Sequence, residues 1–499
     1  MTDQTPHVVV IGGSVAGLGA GLALTNRGHR VTILEGDASP MPESHVEAFE
    51  RWERRGSPQT RHSHALLARL RNLIRDHAPE LLDKLRACGA DELRFADMVK
   101  QVDPDAALEP GDEDVVLLAC RRVTFEWVLR RHVLDTGLVD FRDGVTVRGL
   151  EARPGAGGAP PHVTGVRLAG PDGTESSLDA DFVVDASGRR SKLRRWLSEL
   201  GCEPIREDSE PCGIFYTSRF YRLRDGVEPP AMDGPIVGED LGYVKIGLFP
   251  GDARIFSITL AASPDDDDLR AVLQRPAFEA AARALPQIAA WVDPGVSEPI
   301  SDVHAMANLK NTRRFLVEDG EPRVTGYAAI GDALIHTNPI TGRGCSLAWV
   351  GAFELARALA EHADPRERVL AYDAAIEREV VPWYRMQVQQ DRDAVEVSQA
   401  QRRGEDPFQV VRPDGTNDPK AFMRSVIREG LIPAIRSDVG ILRRFMRLMN
   451  LLEPPEDLMR DPAFFGRVVA CYNTRHEREP AQNGPRRTEM VDVLARTAA

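Results

Sequence analysis

Cysteine, lysine and long apolar runs are all scarce in this chain of 499 residues. Its six cysteines are scattered, with no C-x-x-C pair and no finger spacing. That pattern argues against a zinc site and makes a reduced, cytoplasmic setting the expectation. Cys202 and Cys212 are close enough in sequence to meet, but separation alone says little. No uninterrupted apolar stretch is long enough to cross a bilayer, so no membrane insertion is expected. The opening "MTDQTPH" has neither a charged nor an apolar leader region, which argues against a signal peptide. Positive charge is also short: Lys+Arg 63 against Asp+Glu 76 gives a formal net charge of −13. Nucleic acid and anionic lipid both want a positive face, so neither is expected as the main partner. The crowded Arg189, Arg190, Lys192, Arg194 and Arg195 read as a solvated helix face or as a local basic patch. No metal-ligand cluster and no Ser-His-Asp spacing is present. Those gaps fit a protein whose cofactor carries the chemistry.

What is present begins at residue 7. "HVVVIGGSVAGLGAGLALTNRGHRVTILEGD" spans about 30 residues, the size of a βαβ unit. His7–Ile11 is a β-branched run suited to a strand buried on both faces. Leu18–Arg27 reads as a helix stopped by Gly28, and Arg30–Leu34 as a second strand. Between them Gly12-Gly13-Ser14-Val15-Ala16-Gly17 matches G-x-G-x-x-G with its middle glycine replaced. Gly12 permits the tight turn and Gly17 lets helix and strand approach. The helix start offers N–H groups and partial positive charge to a pyrophosphate. Ser14 adds a side chain there, and its hydroxyl can donate to phosphate. Glu35, followed by Gly36, stands roughly 20 residues on, where an acid holds ribose hydroxyls and disfavours a 2′-phosphate. The spacing therefore predicts FAD or NAD, rather than NADP, in this turn.

Residues 38–63 are polar and turn-rich. "ALLARLRNLIRDHAPELLDKLRACG" and "RRVTFEWVLRRHVLDTG" are amphipathic helices. "VDFRDGVTVRGLEA" and "HVTGVRLAG" read as strands joined by the Gly/Pro-rich "RPGAGGAPP". "GIFYTSRFYRL", "GYVKIGLFP" and "ARIFSITLAA" suggest an antiparallel sheet, and "SPDDDDLRAVL" a capped helix start. Beyond Pro365 the chain is mostly helical.

Two distant stretches choose the dinucleotide. "DFVVDASGRRSKLRRWL" places Asp185, Ala186, Ser187, Gly188 and Ser191 after a strand. "GYAAIGDALIHTNPITGRGCSLAWVGAFELARALAEH" ends a strand at Gly331-Asp332, turns at Pro339, and opens a helix at Gly342 and Gly344. A carboxylate such as Asp332 can grip ribityl hydroxyls. The amides at Gly344, Cys345 and Ser346 can face a ring carbonyl that gains charge on reduction. That combination serves a flavin. The chain resembles the FAD-dependent monooxygenases of the para-hydroxybenzoate hydroxylase fold, nearest to bacterial natural-product hydroxylases and epoxidases. Its G-x-S-x-A-G turn, "DASGR.S", "GD…NP..G.G", "PQTRHSHALL" and "CRRVTFEWVLRR" carry the likeness over most of the first 350 residues. The resemblance implies FAD, with Arg122 reaching its phosphate or ribityl region, the Val145 backbone beside adenine, and Arg61 on the flavin side. It implies reduction by NADH or NADPH and reaction with O₂ to a C4a-hydroperoxide. The distal oxygen then passes to an aromatic ring or alkene in a largely apolar, closed site. Asp185-Ala186-Ser187-Gly188 departs from the D-G pattern of the aromatic hydroxylases. That makes a separate flavin reductase an alternative to direct NAD(P)H use.

The W-x-W-x-I-P signature of flavin halogenases is absent and no lysine stands out as a halogenating amine. "NPITGRG" is also similar to the prenyl reductases, so a reductase or dehydrogenase stays open, as does a halogenase on the same fold. So does a flavin-free binding protein on this scaffold. His62, His64, His336 and Arg343 are either pocket residues or capping and surface groups. Phe215, Tyr216, Phe220 and Tyr221 are either sheet core or pocket wall. The apolar stripe in "GILRRFMRLMNLLEPPEDLM" packs a helix or lids a tunnel. The expected architecture is α/β. A discontinuous Rossmann-like FAD domain (1–85, 105–200, 322–362) holds an inserted antiparallel substrate domain (86–104, 201–321), followed by a helical C-terminal region (363–499).

Overall fold

The computed structural model describes residues 5–231, 237–412, 414–478 and 484–497. The first four residues of the "MTDQTPH" leader expectation lie outside these, as do residues 413, 479–483 and 498–499 of the helical C-terminal expectation. The core is a five-stranded sheet in the order Tyr327–Ala329, Phe182–Asp185, His7–Ile11, Arg30–Leu34, Val139–Arg142. All its pairings are parallel. His7–Ile11 sits in the middle and is buried throughout, as its unbroken apolar run requires. The register sets Ile11 opposite both Leu34 and Asp185, and Ala329 opposite Asp185. The three sequence clusters that begin where these strands stop therefore leave the sheet on one edge. In an open parallel sheet, ligands bind outside the carboxyl ends of the strands.

Helix Val15–Thr25 packs against helix Gly344–Glu361, and glycine permits the approach. A Cβ at Gly19 would lie 2.6 Å from Trp349 Nε1. That indole donates to the Val15 carbonyl at 3.1 Å, joining the first and last parts of the FAD-side core.

The second large sheet is antiparallel: Val237–Asp240, Val244–Pro250, Ile255–Ala262, Phe215–Leu223 and Ser297–Pro299, with His304–Met306 also on Phe215–Leu223. Alternation along Phe215–Leu223 divides its aromatics between two faces. Phe215 and Tyr221 join the core beneath helix Arg275–Ala284. Tyr216 and Phe220 face the first lobe, where Tyr216 meets His62 at 4.9 Å between ring centroids and Phe220 meets Phe49 at 5.1 Å. The sheet is pinned by Asp252, which is fully buried. Its carboxylate accepts from the Arg121 backbone at 2.8 Å, the Arg121 guanidinium at 2.6 Å and Thr124 Oγ1 at 2.9 Å, at the start of helix Arg122–Thr136.

Several local expectations change. The polar stretch 38–63 holds a helix, His45–Arg51, because Ser44 accepts from the Glu47 N–H at 3.2 Å. The periodic segment after it is two helices, Ala68–His77 and Pro79–Ala87. Pro79 has no N–H to continue the first. The acid run near Asp266 caps no long helix. Asp266 instead receives both forks of Arg487, at 2.7 and 2.8 Å, and moors helix Arg487–Ala495. Residues 86–104 pack with the first lobe rather than the antiparallel sheet. Asp91–Arg94 pairs with Val116–Ala119, and Phe95, Met98 and Val99 enter the main core. The helix Val439–Met449 buries Ile441, Leu442 and Met446, so its stripe is packing. All six cysteines are free, Cys202 and Cys212 included. No helix among the described residues is long and apolar enough to cross a membrane.

Candidate cofactor and substrate site

The glycine turn is tight for physical reasons. Gly12 has φ of 106°, and a Cβ there would lie 2.6 Å from the Ala186 carbonyl oxygen. Only glycine adopts this without strain. A Cβ at Gly17 would run into the carbonyl of Gly12. One at Gly13 would meet the Phe141 ring at 2.7 Å. Gly13 N–H donates to Glu35 Oε2 at 3.1 Å, so the acid braces the turn it follows. Val145 N–H donates to the Glu35 carbonyl at 3.0 Å, placing Val145 beside that acid. Gly36 follows in open space.

Beneath the turn lies a buried charge cluster. Arg54 Nη2 donates to Glu35 Oε2 at 3.0 Å and to Glu126 Oε1 at 2.8 Å, and Arg54 Nη1 to Asp37 at 3.3 Å. Glu126, fully buried on helix Arg122–Thr136, also accepts from Arg122 Nη1 at 2.6 Å and from Ser14 Oγ at 3.1 Å. Arg122 Nη2 in turn donates to Ser14 Oγ at 3.2 Å. Burial alone would raise the Glu126 carboxyl; Arg122 and Arg54 override it and hold it down to about 2. The same Arg122 lies against Cys345 at the start of helix Gly344–Glu361. One guanidinium therefore touches both the first and third sequence clusters.

The other cluster residues fall close by. Gly331 has φ of 54°, and a Cβ there would approach Ala348 at 3.1 Å and Ala16 at 3.3 Å. Asp332 follows on the rim, with His336 Nε2 3.9 Å from its carboxylate. Asn338 accepts from the Ile340 N–H at 3.2 Å and starts the turn at Pro339. Gly342, at φ of 68°, abuts Ala65, which a Cβ would meet at 3.0 Å. The "RHSHALL" segment thus packs on the N-P-x-x-G turn.

Four candidates have their polar atoms engaged elsewhere. Both oxygens of Asp185 are taken: Ser187 N–H donates at 2.9 Å, Tyr327 OH at 3.0 Å, and Ser191 Oγ also donates. Its carboxylate organises the turn through Ala186 and Gly188. Arg61 donates to the Phe49 carbonyl at 2.9 Å, away from the glycine turn. His336 lies 2.6 Å from the Lys310 carbonyl through Nδ1. Arg343 is wholly buried, with Nη1 donating to Gln387 Oε1 at 3.1 Å. Burial pulls it down to about 10, with Asp391 opposing.

The "RHSH" segment meets hydroxyls of the antiparallel sheet. His62 Nδ1 lies 3.2 Å from Ser218 Oγ, Ser218 3.1 Å from Thr259 Oγ1, and Thr259 donates to Ser63 Oγ at 2.8 Å. Burial, with His64, His304 and Arg189 adding to it, depresses His62 to about 3. His64 is depressed to about 4 by enclosure and by Arg122, and its Nδ1 is 3.0 Å from the His62 carbonyl. Tyr216 OH donates to Met306 Sδ at 3.1 Å.

The sequence does not single out Arg54, Glu126, Gln387 or Asp391. The available signal was Glu126 four residues after Arg122 on one helix face. Nothing local marks the others.

With this geometry in view, comparison with known proteins places the chain. The FAD binding domain family matches residues 5–210. The protein belongs to that family of para-hydroxybenzoate hydroxylase type and is an FAD-dependent oxidoreductase. Among its relatives is Protein Rv3254 of Mycobacterium tuberculosis, 30% identical over 371 residues, which span 71% of this chain and 73% of the relative. The fold is similar to that of OxyS anhydrotetracycline hydroxylase from Streptomyces rimosus, with a TM-score of 0.54 and 18% identity over 90% of this chain and 76% of that one. It is also similar to that of the flavin-dependent brominase Bmp2, with a TM-score of 0.53 and 17% identity over 95% and 100%.

Proposed function

We propose that the protein is an FAD-dependent monooxygenase that inserts one atom of O₂ into an apolar or aromatic small molecule, as a hydroxylase or epoxidase of natural-product biosynthesis. The reading is carried by the single strand edge from which Gly12–Gly17, Glu35 and Gly331-Asp332 emerge, with the helix start at Gly344–Ser346 packed beside it through Gly331 and Arg122 and with Tyr216 of the antiparallel sheet against His62. The residues fit FAD. The helix start at Val15 has free backbone donors, Arg122 adds a cation beside Ser14, and glycines leave the room a pyrophosphate needs. In this reading Glu35 takes the adenosine ribose and Val145 flanks adenine. Arg122 and Ser14 take the pyrophosphate, Asp332 the ribityl chain, and the amides of Gly344, Cys345 and Ser346 the polar edge of the ring. FAD held there supplies two-electron redox chemistry and the activation of O₂.

The chain's own residues would do the rest. Tyr216, Phe220 and Met306 exclude water from the ring side of the sheet. Burial and the neighbouring His64, His304 and Arg189 favour the neutral form of His62. His62 orients a substrate hydroxyl by accepting or donating a hydrogen bond, steadied by Ser218. The electron donor is NADH or NADPH, used directly or through a flavin reductase. The test is O₂ uptake coupled to a product one oxygen heavier, with flavin bleaching by NADH and NADPH measured separately. A turned-over substrate that gains no oxygen would leave a dehydrogenase or reductase.

A further inference from the structure

Asp391 lies on helix Val381–Arg402, far in sequence from the three clusters. It is 6% exposed, and none of the described cations lies within ion-pair distance of it. Three neutral amides serve it instead: Asn311 Nδ2 at 2.7 Å, Asn338 Nδ2 at 2.8 Å and Gln387 Nε2 at 2.9 Å. The other end of Gln387 accepts from Thr341 Oγ1 at 2.9 Å and from Arg343 Nη1 at 3.1 Å. Asn311 closes the ring, its Oδ1 accepting from the Asn338 N–H at 2.7 Å. Asn338, Thr341 and Arg343 are the start, middle and end of the turn that opens helix Gly344–Glu361. The guanidinium of Arg343 lies over the Trp383 ring at 5.6 Å and keeps Nε and Nη2 without a hydrogen-bond partner, in full burial. The buried cation and the buried anion are thus separated by one side-chain amide.

We propose that Asp391, acting through Gln387, Asn338 and Arg343, is a positioning residue for the ring end of the flavin site. This rests on the FAD reading of the Gly344–Ser346 amides. A buried carboxylate that must be satisfied by these amides allows one arrangement of the turn, because leaving any of them unpaired is costly. The same carboxylate is the nearest counter-charge to Arg343 across Gln387. Removing its charge leaves the cation uncompensated behind the amides that face the ring. Helix Val381–Arg402 therefore sets both where those amides point and how positive their surroundings are.

The test uses the full-length holoprotein and three variants. Asp391→Asn keeps the shape and removes the charge, Asp391→Glu keeps the charge, and Arg343→Met removes the cation. FAD Kd, the visible flavin spectrum and the flavin midpoint potential are read, with circular dichroism as the folding control. Asp391→Asn is expected to weaken FAD about tenfold, from one charged hydrogen-bonded group lost, and to move the potential upward. Arg343→Met is expected to move it downward, and Asp391→Glu to return part of the way to wild type. If Asp391→Asn fails to fold, the downward shift in Arg343→Met decides. Folded variants with wild-type Kd, spectrum and potential would overturn the inference. Failure of the wild-type protein to take up FAD would instead overturn the FAD reading beneath it.

Discussion

Replacing Glu126 by glutamine is the sharpest test of the charge cluster under the dinucleotide turn. The wild-type carboxylate is fully buried and pairs with Arg54 at 2.8 Å and Arg122 at 2.6 Å. Its pKa falls from 4.5 to about 2 on folding, which corresponds to about 3 kcal/mol of stability at neutral pH. The folded-state pKa is the lower one, so this contribution is complete above pH 4.5. It is lost as the pH drops through about 2. Breaking a buried ion pair from one side costs about 3–5 kcal/mol. In Glu126→Gln, Arg54 still has Glu35 and Asp37, whereas Arg122 is left with Ser14 and no carboxylate. A pyrophosphate placed at Ser14 would return an anion to Arg122. The loss should therefore be largest without FAD and smaller with it. Urea unfolding at pH 7, with and without FAD, measures both. Trp52 reports locally, since its ring centroid lies 5.1 Å from the Arg54 guanidinium. An FAD-free variant within about 1 kcal/mol of wild type, or one that FAD stabilises no more than it stabilises wild type, would refute the placement of the pyrophosphate beside Arg122.

Other outcomes follow from single sites. Gly12→Ala meets both a left-handed φ and the Ala186 carbonyl. Strain of about 1–3 kcal/mol in the turn predicts at least tenfold weaker FAD retention after gel filtration. Asp252→Ala unpairs buried Arg121 and should lower stability by about 3–5 kcal/mol, visible as a lower urea midpoint and faster proteolysis between the sheets. His62 titrates near 6.5 when unfolded but only at about 3 when folded. The unfolded chain thus binds more protons between those values, and stability falls as pH drops below 6.5. That slope amounts to about 2 kcal/mol by pH 5. A His62→Gln variant should show a shallower decline between pH 7 and 5, measured by urea unfolding. An unchanged slope would mean that His62 takes up its proton as readily in the folded chain as in the unfolded one.

The first βαβ was readable because its signals are contiguous. Strand periodicity, glycine conformation and the terminal acid all act within the residues from His7 to Glu35. The hairpin around "RPGAGGAPP" was readable for the same reason. Boundaries were less so: the break at Pro79 and the helix His45–Arg51 depend on one proline and one serine cap. Residues 86–104 were assigned to the wrong neighbour, since a short strand carries no mark of the partner it will choose. The role of Asp266 was hidden because Arg487, which takes it, stands 221 residues away.

Local chemistry thus marked the dinucleotide turn, and three separated patterns in order pointed to a flavin, which the match to the FAD binding domain family supports. Tertiary structure alone decided which charges matter. A carboxylate or guanidinium is unremarkable in sequence, because its energy depends on burial and on the partner across the gap. Arg54, Glu126 and Asp391 acquire a role only when distant segments fold around them and exclude the water that would otherwise screen them.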